Sequence, residues 1–348
     1  MNIKDVARMS GVSISTVSRV INRSAYVNPE IRRVVEKILD ETGYRPNALA
    51  RGLLTHSTQT IGVMLPRIDL STFAAMFDGA VQVLGEKGYG VMLANTRDDL
   101  AEELRYMDLF NEKRIDGMLF FGTGENACYA DALAKLRAPV VLVGQSGNYL
   151  GCPSVRLDNF GAAKAMVNYL IGLGHRRIGC LAVPDHDVGI GIERKRGYLA
   201  ALAENGITFD PSLMFVDTFE YASGEAGGAA LMANSGGRPT AIFTITDRLA
   251  VAVAGHLLRN GYRVPEDVSV ACLDDPELLT FCYPSITAMR FEYRQAGMLA
   301  AHTLIEEIER KQADAGRGTD GKPKPPTEVV MPYILCERGS TRGTGEFQ

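Results

Sequence analysis

The chain contains no tryptophan, only five histidines and only six cysteines, and each scarcity removes a class of function. The histidines, at 56, 175, 186, 256 and 302, nowhere fall at metal-ligand spacing, and no serine stands in a G-x-S-x-G turn, so neither a metal centre nor a hydrolase elbow is expected. His175, in "LGHRRIG", reads as a helix-end cap rather than a catalytic group. Cys128, Cys152, Cys180, Cys272, Cys282 and Cys336 are scattered without close pairing, which argues for free thiols in a reducing compartment. No apolar run reaches the roughly 18 residues that a membrane span needs, and the first residues carry no apolar signal segment. These absences predict a soluble cytoplasmic protein that uses no cofactor, no metal and no membrane.

Dinucleotide chemistry is also missing. "GIGIERKRG" carries Gly189 and Gly191, but its third glycine is misplaced for G-x-G-x-x-G. Asp274 and Asp275 form an acidic pair, yet neighbours on a strand point to opposite faces and cannot share acid/base work. Binding without turnover is therefore expected, and no enzyme.

Charge is unevenly spread. Residues 1–60 hold nine Lys/Arg against five Asp/Glu, a balance of +4, whereas the rest of the chain carries −8. A basic head on an acidic body points to a head that meets a polyanion. Within that head, Ile3, Val6 and Ala7 fall at i, i+3 and i+4 and Gly11 ends the helix they imply. Val17, Val20 and Ile21 repeat the spacing in a second helix, with Ser13 at the N-cap. Such a pair reads as a helix-turn-helix, whose opposite face, Ile14, Ser15, Ser18 and Arg19, is the recognition face. Asn28-Pro29-Glu30 starts a third helix, along which Ile31, Val34, Val35, Ile38 and Leu39 form an apolar stripe up to Gly43. By side-chain chemistry Arg19 suits a bidentate pair with guanine, Ile14 a thymine methyl and Ser15 several base edges. Ser13, Thr16 and Asn22 suit phosphate oxygens.

From residue 60 onward apolar strand-like runs ("TIGVMLP", "GVMLAN", "GMLFFG", "PVVLVGQ", then "RIGCLAV", "LMFVDTF", "AIFTIT", "VSVACLDD") alternate with helical stretches. The pattern predicts parallel sheets covered on both faces. It breaks near residue 160, implying two similar subdomains with a ligand cleft at the carboxyl ends of their strands. Boundaries are expected at 1–45 for the head, 46–58 for a hinge helix and linker, 59–159 plus about 292–322 for the first subdomain, and 160–291 plus about 323–338 for the second. Residues 311–327 read as a flexible loop and 339–348 as a disordered tail, which has no leucine heptads for a tetramer.

"IKDVARMSGVSISTVSRVIN", followed by "GYRPNALARGLL" and "TIGVMLP", resembles the lactose/galactose repressor family of bacterial transcription regulators, and the likeness extends to about residue 335. The resemblance implies a helix-turn-helix head on a periplasmic-binding-protein-like core of two parallel-sheet α/β subdomains. It implies a homodimer on palindromic double-stranded operator DNA, whose hinge segments, through Asn47, Ala50 and Leu53, enter the minor groove, with Leu53 wedged between base pairs. Helices of the first subdomain, including residues 72–87, are the expected dimer partners.

The resemblance also implies a small effector in the cleft. Arg194 matches the arginine that holds it, Asp247 and Asp274 match acidic positions near sugar hydroxyls, and Phe219 an aromatic wall, with Phe73 and Tyr293 as further stacking rings. Gln145 and Thr246 complete the set, Thr246 standing where many relatives have asparagine. Where many relatives carry Asp-Ile-Ser-Asn-Pro-Phe-Phe after the first strand, this chain reads Arg67-Ile68-Asp69-Leu70-Ser71-Thr72-Phe73, whose arginine at 67 resembles the trehalose and sucrose repressor branch. Arg67, with Arg194 across the cleft and Lys195 or Arg196 nearby, is expected to clamp the phosphate of a sugar 6-phosphate. The alternatives are a neutral sugar or a purine-like corepressor. Ligand closure of the cleft would alter operator affinity, with induction and corepression both open.

Overall fold

Short helices with one apolar face can only persist by sharing a core, and the first segment of the chain does this three times. The structure, a computed structural model, describes residues 1–22, 26–44, 57–317 and 326–346. Helices α1 (Ile3–Ser10), α2 (Ile14–Asn22) and α3 (Pro29–Thr42) make up the head. Asn2 caps α1 in a reciprocal box with Asp5, Ser13 Oγ accepts the Thr16 amide at 3.2 Å, and Asn28 caps α3 ahead of Pro29. Gly11 and Gly43 end α1 and α3 in the left-handed region, at φ 66° and 60°. Val6, Ala7, Val17, Val20, Val27 and Val35 form the buried centre. The stripe on α3 is narrower than its sequence suggests. Ile31, in its first turn, and Val34, on its flank, are exposed, while Ile38 and Leu39 are partly buried.

The head to Thr60 and the core from Ile61 form separate units. In the core, runs of apolar residues become strands buried on both faces, as parallel sheets require. The first sheet has the order β11-β5-β4-β3-β1-β2, with strands β1 (Thr60–Leu65), β2 (Gly90–Asn95), β3 (Gly117–Phe120), β4 (Val140–Gly144), β5 (Ser154–Leu157) and β11 (Glu328–Met331). The second has the order β12-β10-β9-β8-β6-β7, with β6 (Ile178–Ala182), β7 (Met214–Val216), β8 (Ala241–Thr244), β9 (Ser269–Leu273), β10 (Thr287–Phe291) and β12 (Tyr333–Cys336). Each sheet reverses its winding direction once, next to β1 in the first and β6 in the second. Ligands bind outside the carboxyl ends of strands at such points.

Helix α4 (Ser71–Glu86) follows β1, and α12 (Tyr293–Arg317) crosses it closely. A Cβ on Gly297 would lie 1.8 Å from the Met76 carbonyl oxygen, and one on Gly79 would lie 2.1 Å from that of Arg294. Only glycine permits this approach. On the second lobe, α7 (Asn159–Gly172) packs against α8 (Arg194–Glu204) across Gly197.

The chain passes between the lobes three times, at Asp158, at Glu292 and at Pro332. The last crossing corrects the expected division of the C-terminal part. Glu328–Met331 pairs in parallel with β5 and so belongs to the first lobe, not the second. Tyr333–Cys336 pairs antiparallel with β10, so the second sheet is mixed.

Two further expectations are overturned. Residues 311–317 continue α12 as helix instead of opening the loop read there. The segment expected as a disordered tail is held through Glu346. Ser340 is fully buried, its Oγ accepting the Thr287 amide at 2.8 Å and donating to the Val270 carbonyl at 2.6 Å. The Thr344 amide donates to the Leu173 carbonyl, and Arg338 makes a bidentate pair with Asp275 at 2.7 and 2.8 Å. His175 joins this packing: its ring bonds Thr240 Oγ1 and the Arg342 carbonyl and so pins the C-terminal segment, while its amide donates to the Leu170 carbonyl at the end of α7. The polar composition that suggested disorder supplies these bonds.

Candidate functional site

On the head, α2 turns Val17 and Val20 inward and leaves Ser13, Ile14, Ser15 and Arg19 exposed, with Thr16 and Ser18 half-buried. The hydroxyls of Ser13, Ser15 and Thr16 bond one another at 2.7 and 2.9 Å around the helix start. Ile14, at 44% exposed, is the largest apolar side chain on this face. An exposed isoleucine beside hydroxyls and a guanidinium can touch the edges of bases in a groove. Asn47, Ala50 and Leu53, and the side chain of Asn22, lie outside the described residues.

The core brings the carboxyl ends of both sheets around two adjoining cavities. One, of about 450 Å³, is lined by residues that include Phe73, Gln145, Asn159, Asp187, Arg194 and Tyr293. The other, of about 350 Å³, is lined by residues that include Phe219, Thr246, Asp247 and Arg248. Thr72, Ile190 and Asp274 border both. Phe73, Gln145, Arg194, Phe219, Thr246, Asp247 and Asp274 thus come together as read from the sequence. Arg67 and Asp69 line neither cavity.

Arg194 is 1% exposed and its N–H groups are largely committed to the protein. Nη1 and Nη2 donate to Asp274 Oδ2 and Oδ1 at 2.8 and 2.9 Å, Nε to Asn159 Oδ1 at 2.8 Å, and Nη1 also to the Ile245 carbonyl. Asp274 takes up φ 69°, a left-handed conformation uncommon outside glycine and found at sites that over-determine it. The hydroxyl of Tyr293 donates to the same carboxylate. Tyr293 therefore orients Asp274 through its hydroxyl while the residue also lines the first cavity. Arg194 likewise ties the floor of the cleft together, joining the start of α7 to the residues just after β8 and β9.

The remaining polar groups face the space. Burial pushes the Asp187 carboxyl up to about 6, although its Oδ1 accepts the Ile190 amide at 2.7 Å. Burial raises Asp247 to about 6 as well, with the charge of Asp274 adding to the effect. Gln145 Oε1 and Thr246 Oγ1 are buried and have no hydrogen-bond partner among the described residues. A buried acceptor left without a partner costs about 1–3 kcal/mol, so such atoms mark places where something else bonds. Asp187 begins a π-helical turn, Val188–Glu193, whose Val188 amide reaches across to the Thr123 carbonyl of the first lobe at 2.7 Å. π turns are frequent at functional sites.

The expected phosphate clamp does not assemble. Arg67 makes a bidentate pair with Asp69, at 3.1 and 2.8 Å, and reaches Glu220 Oε1 at 3.2 Å. Lys195 pairs with Asp185, and the Arg196 guanidinium lies 5.7 Å above the Phe160 ring. The cause is local: Asp69 stands two residues from Arg67, and successive residues of α8 point around the helix, away from Arg194. Asn159, Asp187 and Arg248 were not singled out in the sequence. Their signal was position, since each directly follows or lies within a few residues of a strand's carboxyl end.

Known proteins share the family and fold of this chain. Residues 2–47 match the family model for bacterial regulatory proteins of the lacI family, and residues 167–341 match the model for a periplasmic binding protein-like domain. The HTH-type transcriptional regulator RegA of Clostridium saccharobutylicum is 31% identical over 340 residues, spanning 98% of this chain and 99% of its own. The chain belongs to the LacI family. Among solved structures of LacI-like regulators, a complex of the transcriptional regulator CelR with cellobiose is 28% identical, covers 98% of this chain and 100% of its own, and superposes with a TM-score of 0.71. A Lac repressor dimer bound to operator and the anti-inducer ONPF, 24% identical over 98% of this chain and 99% of its own, shares the fold with a TM-score of 0.84. The protein is thus a LacI-family DNA-binding transcriptional regulator, with the helix-turn-helix region and Lac repressor-like core of that family. Among the described residues no helix is long and apolar enough to cross a membrane, and no group of His, Cys, Asp or Glu is arranged to hold a metal ion.

Proposed function

We propose that the protein is a repressor of a sugar-utilisation operon that binds without turnover and whose operator affinity is set by a neutral, polyhydroxylated ligand in the cleft. One observation carries the ligand class: the cavities present the carboxyls of Asp187 and Asp247 together with two unpartnered buried atoms, Gln145 Oε1 and Thr246 Oγ1. Carboxylates and an amide oxygen want donors, and a sugar ring offers a hydroxyl at nearly every carbon. Phe73 and Phe219 supply apolar surface for its faces. A sugar 6-phosphate is the less favoured ligand, because Arg67 is paired with Asp69 and Glu220 outside both cavities. The cellobiose held by CelR supports a neutral disaccharide as the first compound to try.

On the DNA side, Arg19, Ile14 and Ser15 would read base edges, with Ser13, Thr16 and Ser18 beside them. Two heads on a palindrome require a homodimer. The face of α4 proposed for that contact exposes mainly polar or small residues, Ala74, Asp78 and Gln82 among them. Leu278, Phe281 and Tyr283 on the second lobe, 53%, 76% and 92% exposed, form a better apolar contact.

Calorimetric titration with cellobiose, trehalose and their 6-phosphates, beside gel shifts on palindromic upstream DNA, tests this reading. A neutral sugar should bind more tightly than its phosphate and change the shift. Gln145→Ala and Thr246→Val should each lower its affinity up to about tenfold. Tighter binding of a phosphate overturns the ligand class.

A further inference from the structure

Four charged side chains meet between the lobes beside the second cavity, which Arg248 itself lines. Arg67 and Asp69 lie on the loop after β1, in the first lobe. Glu220 caps the start of α9 (Tyr221–Met232) and Arg248 lies in the first turn of α10 (Asp247–Arg259), both in the second lobe. Arg248 Nη2 donates to the Asp69 carbonyl at 2.8 Å and to Asp69 Oδ2 at 3.0 Å, while Arg67 Nη2 reaches Glu220 Oε1 at 3.2 Å. Arg248 Nη1 lies 4.0 Å from Glu220 Oε2, and its guanidinium sits 5.6 Å above the Tyr221 ring. The bonds within one lobe, Arg67 to Asp69, hold the first pair in place for the bonds between lobes. Both guanidiniums are largely covered, at 23% and 18% exposed, whereas the carboxylates are about half open to solvent.

We propose that Arg67, Asp69, Glu220 and Arg248 form an ionic latch that holds the lips of the cleft together and so sets how readily it opens. Leu70 and Ser71, directly after Asp69, and Phe219, directly before Glu220, line the outer cavity with Arg248 itself. A ligand that reaches this cavity passes the latch, and opening costs the inter-lobe bonds before any ligand contact is made. A conformational equilibrium set this way lowers apparent affinity by the fraction of chains that are open. The charges balance, two against two, so the latch weakens with salt without leaving a net charge on the rim. Asp69, drawn down to about 2 by its hydrogen bonds from Arg67 and Arg248, stays ionised across the physiological range.

Hydrogen exchange of the full chain without DNA or ligand tests the latch independently of the ligand's identity. Peptides covering residues 66–75, 217–224 and 246–252 should exchange about three- to tenfold faster in Arg248→Gln than in wild type at 50 mM sodium chloride. Wild type at 500 mM should approach the variant, and the variant should show no further change with salt. Peptides from β3 and β8 should exchange alike in all samples. The exchanged pair Asp69→Arg with Arg248→Asp should restore protection. Equal rim exchange in wild type and Arg248→Gln, or rim exchange in wild type that ignores salt, overturns the proposal.

Discussion

At the scale of single residues, the cleft is governed by what burial does to charge. Arg194 and Asp274 are both nearly inaccessible and bonded twice, so removing either strands the other. Breaking a buried pair from one side costs about 3–5 kcal/mol. Arg194→Gln should therefore lower unfolding free energy by that order in urea titrations, quite apart from any ligand effect. Asp187 gives the opposite sign. Its carboxyl ionises at about 6 in the folded chain against 3.8 ordinarily, so the folded state binds its proton more tightly. The stability from this group is fully present below pH 3.8 and is lost as pH rises through about 6. Asp187→Asn keeps the acceptor for the Ile190 amide and should raise stability at pH 8 by about 1–3 kcal/mol, with a smaller gain at pH 5. Denaturant midpoints at the two pH values check this.

At the scale of elements, close helix packing sets the limits. Gly297→Ala would drive a methyl into the Met76 carbonyl, and overpacking of this kind costs about 1–3 kcal/mol or separates α12 from α4. Thermal melting of the variant measures it. The elements themselves were largely legible: period-3.6 stripes and caps gave the three head helices, and continuous apolar runs gave β1–β4 and β6–β9. What stayed hidden followed from physics that local pattern does not carry. β11 and β12 are short, partly exposed edge strands whose lobe is decided by which neighbour they pair with, 174 residues away in the case of Met331 and Leu157. The residues lining the cleft were recognisable because strand ends converge there. Their division of labour was not, since only the folded chain shows that Tyr293 is spent on Asp274 and Arg67 on Asp69 and Glu220.

At the scale of the whole molecule, the last residues matter more than their composition suggests. Ser340, Arg342 and Thr344 bind β9, His175 and the end of α7, so the second lobe is closed by its own C-terminal segment. Deleting residues 339–348 should lower the melting temperature by several degrees, because buried amides of Val270 and Thr287 lose their acceptors. A scanning calorimetry trace in which the truncated chain melts with wild type would contradict this.

The three passages between the lobes have a mechanical outcome. Neither lobe is one continuous stretch of chain: each is assembled from two separate pieces. A gene fragment ending near residue 160 would yield a sheet missing its edge strand and the helix that crosses α4. Being tethered at three points also means that the lobes bend as a jaw bends, about a shared axis, and do not swivel freely as they would on a single thread. Whatever tilts one lobe is thereby delivered as a directed movement to the other.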